Sequence, residues 1–263
     1  MEDAKPRFAV ISFSFAQLLF LLVLSPTLVL ADDLAAIKQN GELSFALTGQ
    51  YPPFNFVDES NQLTGFDVEI CQALARELGV RPSPVTTAWD GIVAGLLAGK
   101  YDLICGSMAI TEQRLQAIDF SDPYYRSGAQ LFVGRNAEIS SAEHLADRTV
   151  GVTLGTTYEE WVRNNLPQTQ IRTYKGVPEM ILEVVNRRID GFVTDRIVGA
   201  IAIDEKQAPI QIAGPLLYQE RMGIALRQGN PELKQAINTA LQQLKERGDY
   251  RTISLKWLKI DAR

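Results

Sequence analysis

The chain has 263 residues, with 26 Lys and Arg against 31 Asp and Glu, one His and two Cys. That length fits one large domain or two modest ones. A net charge of −5 argues against nucleic acid as a partner, because phosphate neutralisation needs clustered Lys and Arg. So few His and Cys leave no structural zinc site and no disulfide-dense scaffold, and neither metal nor cofactor is expected.

Residues 8–30 are strongly apolar, broken by Ser25-Pro26 and followed by Val29-Leu30-Ala31. This reads as a secretory signal peptide over 1–31, with Asp32 as the first mature residue. The run also approaches the length of a membrane helix, so a retained anchor is the alternative. No Cys follows the cleavage point, so lipid attachment is not expected.

Beyond residue 31 two successive β-α-β-α-β passages follow. In the first, Leu43–Leu47 alternates as a strand. Gly65–Leu78 reads as a helix, with Phe66, Ile70, Leu74 and Leu78 on one stripe and Gly79 as its stop. A strand near Val85, a helix from Trp89 to Ala98 and a strand at Leu103–Cys105 complete it. The second passage starts at Thr149–Val152. It continues with a helix over 156–164, a strand near Ile171, a helix over 178–186 and the strand Gly191–Val193. A helix from Asp195 and a strand near Ile210 follow. Leu131–Val133 and Gly223–Leu226 are strand-like connectors, and Pro231–Leu258 is helical with a break at Gly248. Strands alternating with helices imply α/β architecture with parallel sheets covered on both faces. Two such sheets facing each other make a cleft beside strand ends and helix N-termini.

Six runs, in order, carry a family resemblance: GQYPPFNFVDESNQLTGFDVEI at 49–70, WDGIVAGLLAGKYDLICGSMAITEQR at 89–114, IDFSDPYYRSG at 118–128, VGVTLGTTYEE at 150–160, RIDGFVTDR at 188–196 and GDYRTISLKWL at 248–258. Together they resemble the periplasmic polar amino acid-binding proteins of ABC transporters, the bacterial extracellular solute-binding proteins of family 3. The resemblance implies a two-lobed, type II periplasmic-binding-protein-like fold. Lobe 1 would comprise 32–128 plus 222–263, and lobe 2 would comprise 134–217. Hinge connectors would lie at 129–133 and 218–221. It further implies a soluble, monomeric, periplasmic receptor, not an enzyme, that binds a free amino acid and delivers it to an ABC permease.

A free amino acid carries a carboxylate and an ammonium, and burying both is costly unless each meets opposite charge and hydrogen bonds. By resemblance, Arg114 forks onto the carboxylate, helped by a backbone N–H and hydroxyl at Thr156, and Asp195 pairs the ammonium. Tyr51 and Trp89 form aromatic walls, and Gly106, Ser107, Met108 and Ala109 offer backbone groups. Ala109 replaces the Ser or Thr common in relatives. Relatives that bind basic amino acids often carry an acid before the Tyr51 segment, where this chain has Thr48. Arg196 is an unusual neighbour of Asp195. The expected ligand is therefore of the Gln or Glu type. Cys71 and Cys105 are expected as free core thiols, His144 as a surface residue, and the Asp119/Asp122 pair as a structural turn. The alternatives are a cyclohexadienyl or arogenate dehydratase on the same fold, and a stand-alone chemosensory binding protein.

Overall fold

The computed structural model describes residues 33–263; the expected signal peptide lies outside the described residues. In chain order the elements are α1 (Asp33–Asn40), β1 (Glu42–Leu47), β2 (Gln50–Tyr51), β3 (Asn55–Val57), β4 (Leu63–Thr64), α2 (Phe66–Glu77), β5 (Arg81–Thr86), α3 (Ile92–Leu97), β6 (Leu103–Ala109), α4 (Glu112–Leu115), β7 (Ile118–Phe120) and β8 (Tyr125–Gly134). There follow β9 (Thr149–Thr153), α5 (Thr157–Asn165), β10 (Gln170–Tyr174), α6 (Val177–Val185), β11 (Gly191–Asp195), α7 (Arg196–Asp204), β12 (Ile210–Arg227), α8 (Pro231–Arg247) and α9 (Asp249–Leu258). Short 3-10 turns at Trp89–Gly91 and Ala142–Leu145 complete the chain.

The expected strands and helices are present, several of them longer than the sequence pattern indicates. The strand begun at Leu103 runs to Ala109, buried throughout, and the one begun at Gly191 runs to Asp195. The expected helix from Trp89 opens with its 3-10 turn before α3 begins. The small antiparallel sheet β2-β3-β4 is not foreshadowed in the sequence, because strands of two or three residues show no periodicity.

The two connectors are more than links. β8 pairs antiparallel with β12 over nearly its whole length, and the two strands join the expected sheets into one ladder, ordered β10-β9-β11-β8-β12-β6-β1-β5. On one side of this ladder the parallel trio β5, β1 and β6 pairs through β6 with Met222–Leu226 of β12. On the other side β10, β9 and β11 run parallel, and β11 meets residues 129–133 of β8 antiparallel. The β8–β12 register breaks between Ala213 and Tyr218. There the buried Gln130 side chain donates from Nε2 towards the carbonyls of Ala213, Gly214 and Pro215 at 3.1–3.2 Å. Backbone oxygens that the broken ladder releases are thereby partnered.

Apolar side chains from both faces of this ladder are removed from water. Phe45, Phe66, Ile70, Leu74, Tyr124 and Tyr250 belong to one cluster, which also takes in Phe132 and Phe192. Leu131, Val150, Val152, Val162 and Val193 form a second, and Ile92, Leu96, Ile104 and Met108 a third. The apolar stripe of α2 is buried as its periodicity requires.

The expectation of free thiols is overturned. Cys71 on α2 and Cys105 on β6 form a disulfide, with Cα atoms 6.5 Å apart. Helix α2 lies across β6, so its inward face and the buried strand present the two sulfurs to each other. Such bonds persist in oxidising compartments. The loop it closes spans 34 residues, for which chain entropy alone gives about 3–4 kcal/mol. The double variant C71A/C105A is therefore expected to lose stability of that order in urea unfolding of the oxidised proteins. A change within error would show that the bond leaves the unfolded chain unconstrained.

Candidate functional site

A cavity opens beside the β8–β12 ladder, with about 490 Å³ of space between its walls, open solvent included. Its lining includes seven of the residues expected from sequence: Tyr51, Trp89, Gly106, Ser107, Ala109, Arg114 and Thr156. Thr48, Gln50, Thr153, Thr157, Tyr158, Lys175, Gly176 and Glu220 complete it.

Arg114 sits on α4, a single turn capped by Thr111, whose Oγ1 accepts from the Arg114 N–H at 3.2 Å. The guanidinium donates from Nη1 to the Ala109 carbonyl at 2.8 Å, and its carbon lies 5.8 Å from the centre of the Trp89 ring. It makes no ion pair with a described residue. Burial lowers its pKa, opposed first by the charge of Glu220. A fork held by one backbone bond and one aromatic face still has donors for a carboxylate.

The floor beneath it is organised by Asp67, fully buried at the start of α2. Its Oδ1 accepts from the Tyr124 hydroxyl at 2.7 Å, and its Oδ2 from Asn55 Nδ2 at 2.8 Å and Ser107 Oγ at 2.9 Å. Asn55 in turn accepts from the Gly49 N–H and the Thr48 hydroxyl, both at 3.0 Å. Ser107 stands at φ +57°, in the left-handed region, and its N–H donates to Tyr124. One buried carboxylate thus fixes both Thr48 and a strained Ser107 at the cavity wall. Burial raises its pKa to about 6, against these three hydrogen bonds.

The opposite wall starts at α5. Thr156 caps that helix, its Oγ1 accepting from the Glu159 N–H at 3.3 Å and donating to the Thr153 carbonyl at 2.6 Å. The first N–H groups of the helix favour an anion at this end of its axis. Two glycines allow the walls to approach. Gly155, at φ +77°, offers its carbonyl to Trp89 Nε1 at 3.2 Å. A Cβ at Gly176 would stand 2.5 Å from the Gln50 carbonyl oxygen.

Two expected residues do not line the cavity. Met108 is fully buried in the apolar cluster of Ile92 and Ile104. Asp195 is 0% exposed, at the junction of β11 and α7. Its Oδ1 accepts from the Ile197 N–H at 2.7 Å and the Ser127 hydroxyl at 2.8 Å, whereas its Oδ2 is buried without a partner. It lies behind the cavity's tyrosine wall, and its charge is felt at Tyr51 and Tyr158. Burial pushes its carboxyl up to about 7. Arg196 is exposed and takes no part in the lining.

Sequence reasoning misses Glu220. This residue of β12 is 9% exposed. Its Oε1 accepts from the Thr157 hydroxyl at 2.5 Å, and its Oε2 is buried without a partner. Burial raises its pKa, while Thr157, Tyr158 and the charge of Arg114 act in the other direction. A legible signal exists: Glu220, Met222 and Ile224 alternate on one face of the strand, and the last two are plainly core residues.

Comparison with known proteins finds relatives over most of the chain. Over 236 residues the chain is 36% identical to the L-cystine-binding protein TcyJ of Escherichia coli (strain K12), covering 88% of this chain and 89% of that protein. It is 34% identical to the putative ABC transporter arginine-binding protein 2 of the same strain, covering 82% and 90%. Among solved structures, a mutant of ArgBP from T. maritima superposes with a TM-score of 0.82 at 32% identity, covering 86% of this chain and 99% of that one. The ancestral amino acid-binding protein AncCDT-1, a precursor of cyclohexadienyl dehydratase, gives 0.81 at 40% identity, covering 86% and 99%. These neighbours are two-lobed amino acid-binding proteins. Residues 43–260 match the family described as bacterial extracellular solute-binding proteins, family 3, and the chain belongs to that family.

Proposed function

We propose that this protein is a periplasmic receptor that holds a free polar amino acid in the cavity and presents it to an ABC permease. The observation that carries the reading is Arg114: a half-buried guanidinium at a cavity wall with no carboxylate of the described residues in ion-pair contact. The α-carboxylate of the ligand fills that position, shared with the N–H groups at the start of α5. We assign the α-ammonium to Oδ2 of Asp195, which is buried without a partner outside the cavity lining, so Tyr51 or Tyr158 must turn aside as the ligand enters. Trp89 and Tyr51 flank the aliphatic stem. Relatives named for cystine, arginine and histidine support an amino acid ligand, and names that include ABC transporter support the permease.

In this reading lobe 1 is 32–128 plus 222–263, lobe 2 is 134–217, and residues 129–133 and 218–221 are the hinge. The Trp89–Gly155 hydrogen bond and the Gly176–Gln50 approach are then contacts of closure between lobes. Ligand favours closure because it touches Arg114 on one side and α5 on the other. The relatives named as cystine- and arginine-binding proteins favour a receptor over the dehydratase alternative. Turnover of arogenate or prephenate by the purified protein would reverse that preference.

A thermal-shift screen of the twenty amino acids identifies the ligand, since one that binds only the folded state raises the melting temperature. With that ligand, Arg114→Ala is expected to weaken binding by about two to three orders of magnitude in calorimetry, the cost of leaving a buried carboxylate unpaired. Near wild-type affinity would sink the assignment.

Asp195 supplies a pH test. Its pKa is higher folded than unfolded, so the stability linked to its proton is complete below about 4 and is lost as pH rises through about 7. The ligand-free protein is therefore expected to be less stable at pH 8 than at pH 5, by on the order of a few kcal/mol, and Asp195→Asn to reduce that decline. Ligand affinity is expected to move oppositely, tightening as pH rises through about 7, because the ammonium needs the ionised carboxylate. A pH-independent affinity in this window would remove Asp195 from ligand contact.

A further inference from the structure

We propose that Asp67 is a positioning residue for ligand selectivity: from behind the cavity wall its carboxylate commits the hydroxyl protons of Ser107 and, through Asn55, of Thr48, so that these two groups accept hydrogen bonds from a ligand and give none. The wall they form then selects a side chain with an uncharged N–H or O–H donor and turns away one that only accepts. The proposal rests on the reading of Arg114 and Asp195 as partners of the amino acid head, which leaves the side chain to the rest of the lining.

Asp67 is fully buried and does not itself line the cavity. An ionised carboxylate accepts at both oxygens and donates at neither. Asparagine in its place would turn an amino group towards one of the three donors that Asp67 meets. The charge therefore fixes the sense of every bond that follows. Ser107 Oγ gives its proton to Oδ2. Tyr124 gives its proton to Oδ1, which leaves its oxygen to accept the Ser107 N–H at 3.0 Å. Asn55 turns its amino group to Oδ2, so its own Oδ1 accepts from the Thr48 hydroxyl and the Gly49 N–H. Thr48 Oγ1 accepts in turn from the Gln50 N–H at 3.3 Å. A hydroxyl has one proton. With both protons committed, Ser107 and Thr48 meet the cavity they line as acceptors only.

The fold holds this arrangement in place. Asp67 and Cys71 are one turn apart on α2, and Cys105 and Ser107 are two residues apart on β6, so the disulfide and the Asp67–Ser107 bond tie the same helix to the same strand at neighbouring points. The left-handed backbone of Ser107 is kept where both its N–H and its hydroxyl reach the Asp67–Tyr124 pair. A fixed acceptor discriminates by the proton it lacks. A ligand carboxamide or hydroxyl supplies that proton. A carboxylate or ester sets lone pairs against lone pairs and leaves oxygens on both sides unpartnered. The groups that meet the ligand are neutral, so an uncharged donor satisfies them without a counter-ion. Gln50 also lines the cavity, but its amide can present either end and so sets no direction. Of the Gln- or Glu-type ligands expected from sequence, this wall takes the amide and turns away the acid.

Calorimetry with L-glutamine and L-glutamate γ-methyl ester tests this. Both side chains are uncharged and similar in shape, and the ester carries O–CH3 where the amide carries its N–H donors. Wild type is expected to bind glutamine about tenfold or more tightly than the ester, and Asp67→Asn to bring the two within about threefold. A merely structural role for Asp67 would weaken both ligands and keep their ratio. The double variant T48V/S107A is expected to narrow the ratio as D67N does, and D67N added to it to change the ratio no further, because Asp67 acts through those hydroxyls. The proposal is overturned if wild type shows no such preference, if D67N or T48V/S107A keeps it, or if D67N narrows the ratio further in the T48V/S107A background. If D67N fails to fold, T48V/S107A alone decides. If glutamine does not bind while another free amino acid binds in an Arg114-dependent way, only this inference falls. If no free amino acid binds wild type, the receptor reading falls with it.

Discussion

The antiparallel ladder between β8 and β12 is the constraint on which the rest depends. It ties the parallel strands β5, β1 and β6 to the strands β10, β9 and β11. It also places the chemistry. In register, Ala129 lies opposite Asp195 on one neighbour, and Ser127 lies opposite Glu220 on the other. Ser127 reaches from this ladder to Asp195, and Thr157 reaches towards it to hold Glu220. Both acids are therefore anchored on the element that joins the two sides. The cation that complements them, Arg114, arrives from a separate short turn at the end of β6. A ligand between them makes bonds that no single wall makes alone.

The cost of this arrangement is concentrated rather than spread. Asp67 and Asp195 are both fully buried and both hard to ionise, but they differ in how they are satisfied. Asp67 gives both oxygens to protein donors, and the result is a rigid floor. Asp195 and Glu220 each keep one oxygen free. Buried polar atoms without partners are rare because each forfeits hydration for nothing. Two beside one cavity mark the place where the fold gives up stability to be able to recognise something.

Much of this is legible in the sequence, for identifiable reasons. The α2 stripe of Phe66, Ile70 and Leu74 announces its helix because apolar spacing alone sets which face is buried. Arg114 stands out only through the resemblance of its run to the family's, and Thr156 also through its place after Gly155 at a helix start. Three features are hidden. The β2–β4 sheet is made of strands too short to carry a period. The Cys71–Cys105 bond depends on α2 crossing β6, a tertiary fact invisible in spacing. Glu220 looks like a solvated acid in a connector, its alternation with Met222 and Ile224 being the one sign to the contrary, because its burial comes from α5 and β8 packing against it. Tertiary contact, not local propensity, decides each of these.

Trp89 has a consequence of another kind. The chain has three tryptophans, and the other two rest against fixed partners, Trp161 on Tyr218 and Trp257 on Phe56 and Lys256. Only the indole of Trp89 donates across the cavity, with a guanidinium over its ring and its edge open to solvent. In the proposed opening, its hydration and local field would both change as that hydrogen bond is lost. The molecule thus contains its own optical gauge of wall separation, and emission from a protein with Trp161 and Trp257 replaced by Phe would follow approach and release in real time without an added label.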